Sequence, residues 1–287
     1  MRYLEEGFNI LITGGSGFIG QNLINYFSNK FSVLSPSSSE LNLLDSDSVK
    51  RYFIKNNVQF IVHCANRGGV RCLLDCDTVE SDNVLMLEHL LKYKNNDTKV
   101  ITFGSGAQYD KTRSLHKIKE IDIYNCYPLD QYGKSKLEIA KIAINRDDLL
   151  CLTIFGCYGK YEKDSRFPTY AILQNLNNEP ITILKNSLFD YLYIDDLCLI
   201  VDKFVQKFPQ QRIINVTPSD SITMFEIAEY VNTLCENSVE IILSNEEPPL
   251  EYTGDNALLL SELPNLEFTP YRIGLSKLIG YLKNVTK

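Results

Sequence analysis

The sequence predicts an α/β fold: a doubly wound parallel sheet and a smaller C-terminal α/β domain. Three observations support this prediction. Continuously apolar runs alternate with amphipathic segments, as expected of strand–helix–strand units around a buried parallel sheet. A glycine-rich turn joins the first run to the first amphipathic segment. Beyond about residue 158 the apolar runs shorten, and polar stretches that contain proline separate them.

Six apolar runs are predicted as buried strands because they are continuous rather than alternating. They are FNILIT (8–13), FSVLS (31–35), QFIVHCA (59–65), KVITFG (99–104), LLCLTIF (149–155) and RIINV (212–216). Helical spacing is clear in the first connection, at Phe18, Ile19, Leu23, Ile24 and Phe27, and in the third, from Val84 to Leu91. Shorter helices are predicted over 221–235 and 273–284.

The chain is expected to return to the sheet between Phe189 and Val216, so that both domains are discontinuous. We predict a dinucleotide-binding domain over 1–158 plus about 189–217. A substrate domain is predicted over about 159–188 plus 218–287.

Composition excludes several classes of protein. The net charge is 29 − 36 = −7 with no basic cluster, which argues against nucleic acid as a partner. Glu5 and Glu6 interrupt the N-terminal stretch, which therefore does not read as a signal peptide, and no apolar run approaches the ~18 residues of a membrane span. Eight singly spaced cysteines and three dispersed histidines predict reduced thiols in a cytoplasmic protein without a metal centre.

The stretch TGGSGFIGQNL follows the first predicted strand directly. Gly15, Gly17 and Gly20 fit the pattern G-x-G-x-x-G, and Gly14 with Gly17 and Gly20 fits a shifted version. Small residues here permit a tight turn and close approach of the backbone to a pyrophosphate, which the helix N-terminus then binds. The pattern predicts a Rossmann dinucleotide site formed by Gly14, Gly17, Gly20 and the first helical residues, Phe18 and Ile19.

The second strand ends in VLSPSSS, with no Asp or Glu at its tip. An acid at this position would accept hydrogen bonds from the ribose 2′-OH and repel a 2′-phosphate. Its absence, together with hydroxyls that include Ser35 and Ser37, favours NADP(H). NAD(H) stays the alternative because no arginine supports the 2′-phosphate.

Tyr132 and Lys136 are spaced so that a helix presents the phenol and the ammonium on one face. A neighbouring cation stabilises a phenolate, which suits tyrosine to proton transfer at a carbonyl oxygen. Ser105 ends the fourth predicted strand, 132 − 105 = 27 residues upstream, and its hydroxyl could hold the same oxygen. Tyr-x-x-x-Lys alone is common on helix surfaces, but with the glycine turn and this serine it predicts a catalytic site.

Five motifs resemble the extended short-chain dehydrogenases/reductases, in the nucleotide-sugar epimerase, dehydratase and reductase branch. They are TGGSGFIG, HCA, GSGAQY, YGKSKLE and YLYIDDL, and the likeness extends from about residue 8 to 217, with weaker likeness through YTGDN and FTP. ELNLLDSDSVKRYF and GGV are similar to the GDP-fucose synthase group.

The resemblance implies a catalytic triad of Ser105, Tyr132 and Lys136 and a nucleotide-diphosphate sugar as substrate. It also places Asp45, with its neighbour Leu44, at the adenine and Ala65 of HCA at the cofactor. Family members commonly dimerise through two helices. A homodimer through the helix with Tyr132 and the helix with Leu85 to Leu91 is therefore expected.

The residues after Ser105 distinguish reactions within this family. In its 4,6-dehydratases an Asp-Glu pair occupies the places of Gly106 and Ala107, and in GDP-fucose synthase a cysteine in the place of Ala107 works with a histidine in epimerisation. Hydrogen and methyl side chains cannot move protons, and DSRFPTY, where the histidine should fall, has none. The resemblance therefore implies reduction of a nucleotide-linked 4-keto-6-deoxy sugar without dehydration or C3/C5 epimerisation. An NAD-dependent 4-epimerase and a catalytically idle nucleotide-binding protein are the alternatives.

Three departures from the family affect the substrate site: Gly156 replaces a frequent asparagine, Lys160 a proline and Phe189 an arginine. Lys160 or Arg166 is expected to contact the diphosphate instead, and Gln108, Asn66 and Arg67 are candidates to face the sugar. The paired carboxylates of Asp195 and Asp196 match a motif that the family uses structurally, which argues against hydrolysis.

Overall fold

A computed structural model describes residues 8–69, 74–244 and 250–285. Contacts divide the chain into two compact units: Met1–Asp110, Ile121–Thr153 and Cys198–Ile214 form the first, and Lys111–Glu120, Ile154–Leu197 and Asn215–Lys287 the second. The predicted domains are defined by function, and their boundaries stay a prediction. The N-terminal stretch up to residue 7, Val70 of GGV and Cys72 lie outside the described residues.

Fourteen strands occur in the described ranges. They are β1 Asn9–Thr13, β2 Ser32–Leu34, β3 Phe60–His63, β4 Lys99–Ser105, β5 Leu115–Ile118, β6 Leu149–Ile154, β7 Gly156–Tyr158, β8 Ile181–Ile183, β9 Leu188–Phe189, β10 Tyr191–Tyr193, β11 Ile213–Val216, β12 Ile222–Thr223, β13 Ile241–Leu243 and β14 Glu251–Gly254.

The same ranges contain nine α-helices and two 3₁₀ segments. The helices are α1 Phe18–Phe27, α2 Ser46–Lys55, α3 Val79–Tyr93, α4 Gln131–Ile144, α5 Phe167–Leu176, α6 Ile194–Gln206, α7 Met224–Cys235, α8 Ala257–Glu262 and α9 Tyr271–Val285. The 3₁₀ segments are Gly106–Tyr109 and Glu120–Asn125.

The six predicted runs form one parallel sheet in the order β11-β6-β4-β3-β1-β2, which confirms the doubly wound α/β fold. The strand sequences are continuously apolar because the sheet is buried on both faces. In β1, for example, the consecutive residues Ile10, Leu11 and Ile12 are all fully buried. Burying each such side chain stabilises the fold by about 1.5–3 kcal/mol.

The strand register brings the carboxyl ends of three strands to one edge of this sheet. Thr13 of β1 pairs with His63 of β3, and His63 pairs with Thr102 of β4. The chain segments that leave these strands therefore emerge side by side, at the edge where parallel sheets bind ligands. They carry the glycine turn, Ala65 and Ser105.

The second unit contains a four-stranded sheet, β12-β9-β14-β5, and two pairs, β10-β7 and β13-β8. A buried carboxylate, Asp190, lies between β9 and β10, where it accepts hydrogen bonds from Ser221 Oγ (2.5 Å) and the Gly254 N–H (2.9 Å). The predicted helices over 221–235 and 273–284 are confirmed as α7 and α9. Within the described ranges, no helix is both long and apolar enough to cross a membrane.

Candidate functional site

The glycine turn after β1 is a close junction of three backbone segments. Gly14 has φ +68°, and a Cβ there would lie 2.6 Å from the backbone nitrogen of Ala65 at the end of β3. A Cβ on Gly20, in α1, would lie 2.3 Å from the Gly14 carbonyl oxygen. Both positions therefore exclude a side chain, since the nearest atoms are backbone.

The start of α1 is free of side-chain caps. Gly17 is its N-cap residue, with an N–H that donates to Gly14 O (3.0 Å), and as a glycine it supplies no side-chain cap. Phe18 and Ile19 are the first two residues of the helix. The N–H groups of an uncapped first turn bind anions, so the residues here fit a dinucleotide diphosphate.

The turn after β2 contains an acid that the strand-tip pattern did not identify. Glu40 folds back so that its Oε2 accepts hydrogen bonds from the N–H and the hydroxyl of Ser37, both at 2.8 Å. These bonds lower the pKa of the Glu40 carboxyl. Ser35 is exposed, and its Oγ occupies the space that a Cβ on Gly15 would fill, 2.0 Å away.

Asp45 is the N-cap of α2. Its Oδ1 accepts the N–H of Asp47 (3.0 Å), and its Oδ2 lies 3.8 Å from Nη2 of Arg51. Leu44, the preceding residue, is half-buried and donates its N–H to Asn42 Oδ1 (3.1 Å). This capping role accounts for an aspartate at the position, and the adenine contact stays a prediction.

Ser105 begins a reciprocal capping box at the end of β4. Its Oγ accepts the N–H of Ala107 (3.2 Å), and the Ser105 N–H donates to Oε1 of Gln108 (3.3 Å). Because Oγ is an acceptor here, its own proton can be donated elsewhere. Gln108 is fully buried and also donates to Thr153 Oγ1 (3.2 Å), so it links the Ser105 backbone to β6. Its contact with the sugar stays a prediction.

Helix α4 brings Tyr132 and Lys136 to the same edge as Ser105. The Lys136 ammonium is buried, donates to the carbonyl of Phe103 in β4 (2.9 Å), and lies 5.4 Å from the centroid of the Tyr132 ring. That distance is within the range of a cation–π contact. A Cβ on Gly133 would lie 2.8 Å from the Ala107 carbonyl oxygen, so the first turn of α4 packs tightly on the Ser105 turn.

His63 is a buried neighbour of this site that the sequence did not single out. Its Nδ1 is 2.8 Å from Oγ1 of Thr13, its register partner. Burial, followed by the charge of Lys136, lowers the pKa of His63 to about 3. The imidazole is therefore neutral at physiological pH and adds no second positive charge beside Lys136. Its place at the end of β3, the strand beside β1, was the available sequence signal.

Asp75 is a second residue that sequence reasoning missed. Its carboxylate accepts the N–H of Gly69 (2.8 Å) and the N–H of Tyr132 (3.1 Å). No periodicity or motif marks this aspartate, because its two partners lie 6 and 57 residues away. Asn66 donates to the carbonyl of Arg67 (2.9 Å), in the same loop as Gly69.

In the second unit, Lys160 is half-buried in the loop after β7, and Arg166 is exposed at the N-cap of α5. The structure explains one family departure there. A Cβ on Gly156 would lie 2.9 Å from the ring of Tyr191, which leaves no room for an asparagine.

The paired carboxylates at the start of α6 have structural partners. Asp196 accepts hydrogen bonds from the N–H (2.8 Å) and hydroxyl (2.7 Å) of Thr269, and Asp195 lies 3.7 Å from the ammonium of Lys277. Burial raises the pKa of Asp196. These contacts join α6 to Thr269, just before α9, and to Lys277 within α9, in agreement with a structural motif.

Sequence and structure comparisons identify similar proteins. GDP-L-colitose synthase of Yersinia pseudotuberculosis is 30% identical over 54% of this chain and 54% of that protein, so the chain spans about half the length of that relative. GDP-6-deoxy-D-talose 4-dehydrogenase of Aggregatibacter actinomycetemcomitans is 24% identical over 94% of this chain and 96% of that protein.

The fold agrees with solved structures of similar length. GDP-mannoheptose C4 reductase from Campylobacter jejuni, solved with NADP bound, superposes with a TM-score of 0.84 at 14% identity, covering 97% of this chain and 99% of that one. A GDP-L-fucose synthetase from Naegleria fowleri gives 0.82 at 17% identity, covering 98% and 95%.

The family model that matches this chain is that of the NAD dependent epimerase/dehydratase family, over residues 10–217. This range begins in β1 and includes the glycine turn, the Ser105 turn and α4. The resemblance seen in the motifs is thereby confirmed: the chain belongs to the NAD-dependent epimerase/dehydratase family, the extended short-chain dehydrogenases/reductases that modify nucleotide-linked sugars.

Proposed function

We propose that the protein is an NADPH-dependent ketoreductase of a nucleotide-diphospho-4-keto-6-deoxy sugar, acting without dehydration or C3/C5 epimerisation. The observation that carries this proposal is the Ser105 turn. It packs against the first turn of α4, the helix that carries Tyr132 and Lys136, while Gly106 and Ala107 supply no acid or base. A site with one proton donor and no second acid–base pair is suited to hydride addition and little else.

The contacts of Ser105 and Lys136 support the roles proposed for the triad. Ser105 Oγ accepts the Ala107 N–H, so its hydroxyl proton is available to hold the substrate carbonyl oxygen. Tyr132 donates the proton that this oxygen needs as it becomes a hydroxyl. Lys136, anchored on the Phe103 carbonyl, stabilises the phenolate that Tyr132 leaves behind.

The glycine turn and uncapped α1 fit a nicotinamide dinucleotide, which when bound supplies the hydride. Ser35, Ser37, Leu44, Asp45 and Ala65 are proposed to contact it. The serines after β2 support NADP(H), whereas the Glu40 carboxylate beside Ser37 disfavours a 2′-phosphate. The Glu40 carboxylate thus favours NAD, the cofactor of the second candidate function, an NAD-dependent 4-epimerase.

Three of the relatives found by sequence carry names that refer to GDP-linked sugars: GDP-L-colitose synthase, GDP-6-deoxy-D-talose 4-dehydrogenase and the GDP-L-fucose synthase of Dictyostelium discoideum. GDP-linked substrates are therefore the first to test. We propose Lys160 or Arg166 as contacts of the diphosphate, and a homodimer through α3 and α4.

The test follows NADPH and NADH absorbance with GDP-, CDP- and dTDP-linked 4-keto-6-deoxy sugars made by the matching dehydratases. Stoichiometric oxidation of NADPH with one nucleotide class supports the reductase. No oxidation, with bound NAD and interconversion of 4-hydroxy sugars, would establish the epimerase instead.

A matched pair of variants separates both enzymes from an idle binding protein. Tyr132→Phe removes the proposed proton donor and is expected to lower kcat by about 10²-fold or more. Tyr127→Phe makes the same change at a tyrosine that is 77% exposed and should leave kcat unchanged. An idle nucleotide-binding protein would show no turnover in the wild type, and neither substitution would change its affinity for the dinucleotide.

A further inference from the structure

The peptide groups of Tyr132 are held from both sides by side chains outside the proposed triad. On one side, Asp75 Oδ2 accepts the Tyr132 N–H (3.1 Å), and Oδ1 accepts the N–H of Gly69 (2.8 Å). One carboxylate therefore joins the first turn of α4 to the loop of residues 66–69, which follows β3.

On the other side, the Tyr132 carbonyl accepts the hydroxyl of Ser135 (2.7 Å). Ser135 Oγ accepts Nδ2 of Asn83 in α3 (3.1 Å), and both residues are almost fully buried. Asn83 also binds the backbone of Arg67, accepting its N–H (2.8 Å) and donating to its carbonyl (3.0 Å). The loop is thus fastened beside Tyr132 at two points, Arg67 and Gly69.

The fastened loop lies directly against the Tyr132 ring. A Cβ on Gly69 would lie 2.9 Å from ring atoms Cδ2 and Cε2. Gly68 and Gly69 have φ of +73° and +68°, a conformation that glycine adopts without strain. Backbone atoms of the loop therefore form a wall beside the ring. The hydrogen bond from Gly69 to Asp75 holds the part of this wall that contacts the ring, while Asn83 holds Arg67.

Capping of α4 accounts for only one of the two hydrogen bonds of Asp75, the one from the Tyr132 N–H, which has no partner within the helix. The N-cap of this helix is Asp130, whose Oδ1 accepts the N–H of Gly133 (2.9 Å). The second bond, from the Gly69 N–H, lies outside the helix, so this carboxylate also fixes the loop relative to α4. Charge-assisted hydrogen bonds of this kind are about twice as strong as neutral ones.

We propose that Asp75 is a positioning residue for Tyr132: it holds the 66–69 loop against the ring and thereby fixes the direction of the Tyr132 hydroxyl. The catalytic consequence rests on the proposed function, in which Tyr132 donates the proton. The structural consequence does not, because it concerns only the ring.

The first experiment measures the ring directly, with no cofactor or substrate. Protein labelled with 3-fluorotyrosine is studied by ¹⁹F NMR, and the Tyr132 resonance is assigned by its loss in Tyr132→Phe. Asp75→Asn keeps the size of the side chain but can accept only one of the two N–H groups, so the resonance is expected to shift or broaden. Asp77→Asn, at an exposed aspartate two residues away, should leave it in place.

Gly69→Ala tests the same wall from the loop side. The new methyl meets the ring and requires a positive φ, so the Tyr132 resonance should also move. Gly280→Ala is the matched control, because a Cβ there meets nothing within 4 Å. Thermal unfolding of each variant shows whether it folds. If Asp75→Asn does not fold, Asp75→Glu, which keeps the charge but displaces the carboxylate by one methylene, replaces it in the same measurement, with the same expected shift.

The second experiment compares kcat and KM in the variants, once a substrate is known. Asp75→Asn should lower kcat by about 10- to 100-fold, because misplacing a catalytic group by ~1 Å has effects of this size. KM and the Kd for NADPH should change by less than about threefold, since the substrate and cofactor contacts remain.

An unchanged Tyr132 resonance in the folded Asp75→Asn variant overturns the inference, as does an unchanged kcat. If the wild-type protein oxidises no NADPH with any substrate, the proposed function fails, and the fluorine spectra still decide whether Asp75 positions the ring.

Discussion

Glu162, in the loop between β7 and α5, makes the stability of the protein depend on pH in a calculable way. Thr169 donates its hydroxyl to Oε2 (2.7 Å), while Oε1 is buried with no hydrogen-bond partner among the described residues. Burial raises the pKa of Glu162 to about 8, against the opposing effects of Thr169 and Arg166. Folding therefore favours the protonated carboxyl.

The sign and size of the effect follow from proton linkage. Between the ordinary pKa of 4.5 and the folded value of about 8, the folded state binds the proton and the unfolded state does not. The free energy of unfolding therefore falls as pH rises through this window, by ~1.4 kcal/mol per unit. The full difference, about 3.5 units, corresponds to roughly 5 kcal/mol as an upper limit, since relaxation of the buried site reduces it.

Glu162→Gln removes the ionisation and keeps an oxygen that can accept from Thr169. Urea unfolding from pH 5 to 9 should show the variant gaining stability over wild type as pH rises, with near equality at pH 5. The comparison with wild type removes the separate effect of His63, whose pKa is lowered from 6.5 to about 3. That shift makes the free energy of unfolding fall as pH falls below 6.5. Glu229→Gln, at an exposed glutamate, should show no such trend. A difference that does not change with pH would refute the burial of an uncompensated carboxyl.

Three further substitutions test the site. Gln108→Leu should lower the free energy of unfolding by about 2 kcal/mol in urea, because the Ser105 N–H loses its buried acceptor, and an unchanged midpoint would contradict this. Ser35→Asp should raise the KM for NADPH about tenfold more than that for NADH, through repulsion of the 2′-phosphate, and equal changes would place Ser35 away from the ribose. Gly20→Ala should abolish NAD(P)H binding in fluorescence titrations, since its Cβ would meet Gly14 O at 2.3 Å, and retained affinity would contradict the tight turn.

The sheet and the glycine turn could be predicted because their signals are local. Six continuously apolar runs gave the six strands of the parallel sheet, since burial on both faces requires apolar residues at every position. The ends of strands were less well defined: the third run, predicted over 59–65, forms a strand only over Phe60–His63. The pairing of Tyr132 with Lys136 was equally accessible, because one helical turn separates them.

The turn after β2 contains a contact that the sequence did not predict. No acid stands at the tip of the strand, and this absence favours NADP(H). The fold of the turn nevertheless brings the Glu40 carboxylate to Ser37, where it accepts two hydrogen bonds. The cofactor preference therefore depends on the shape of the turn as well as on its composition.

The sequence by itself determined the fold class, the family and the set of chemical groups available to the site, because each is encoded in periodicity or in a short motif. Only the tertiary structure decided what holds those groups in place. Gln108 supports Ser105, and Asp75 joins Tyr132 to a loop 132 − 69 = 63 residues before it. Such contacts depend on the angles at which strands and helices meet, and no local pattern in the chain records those angles.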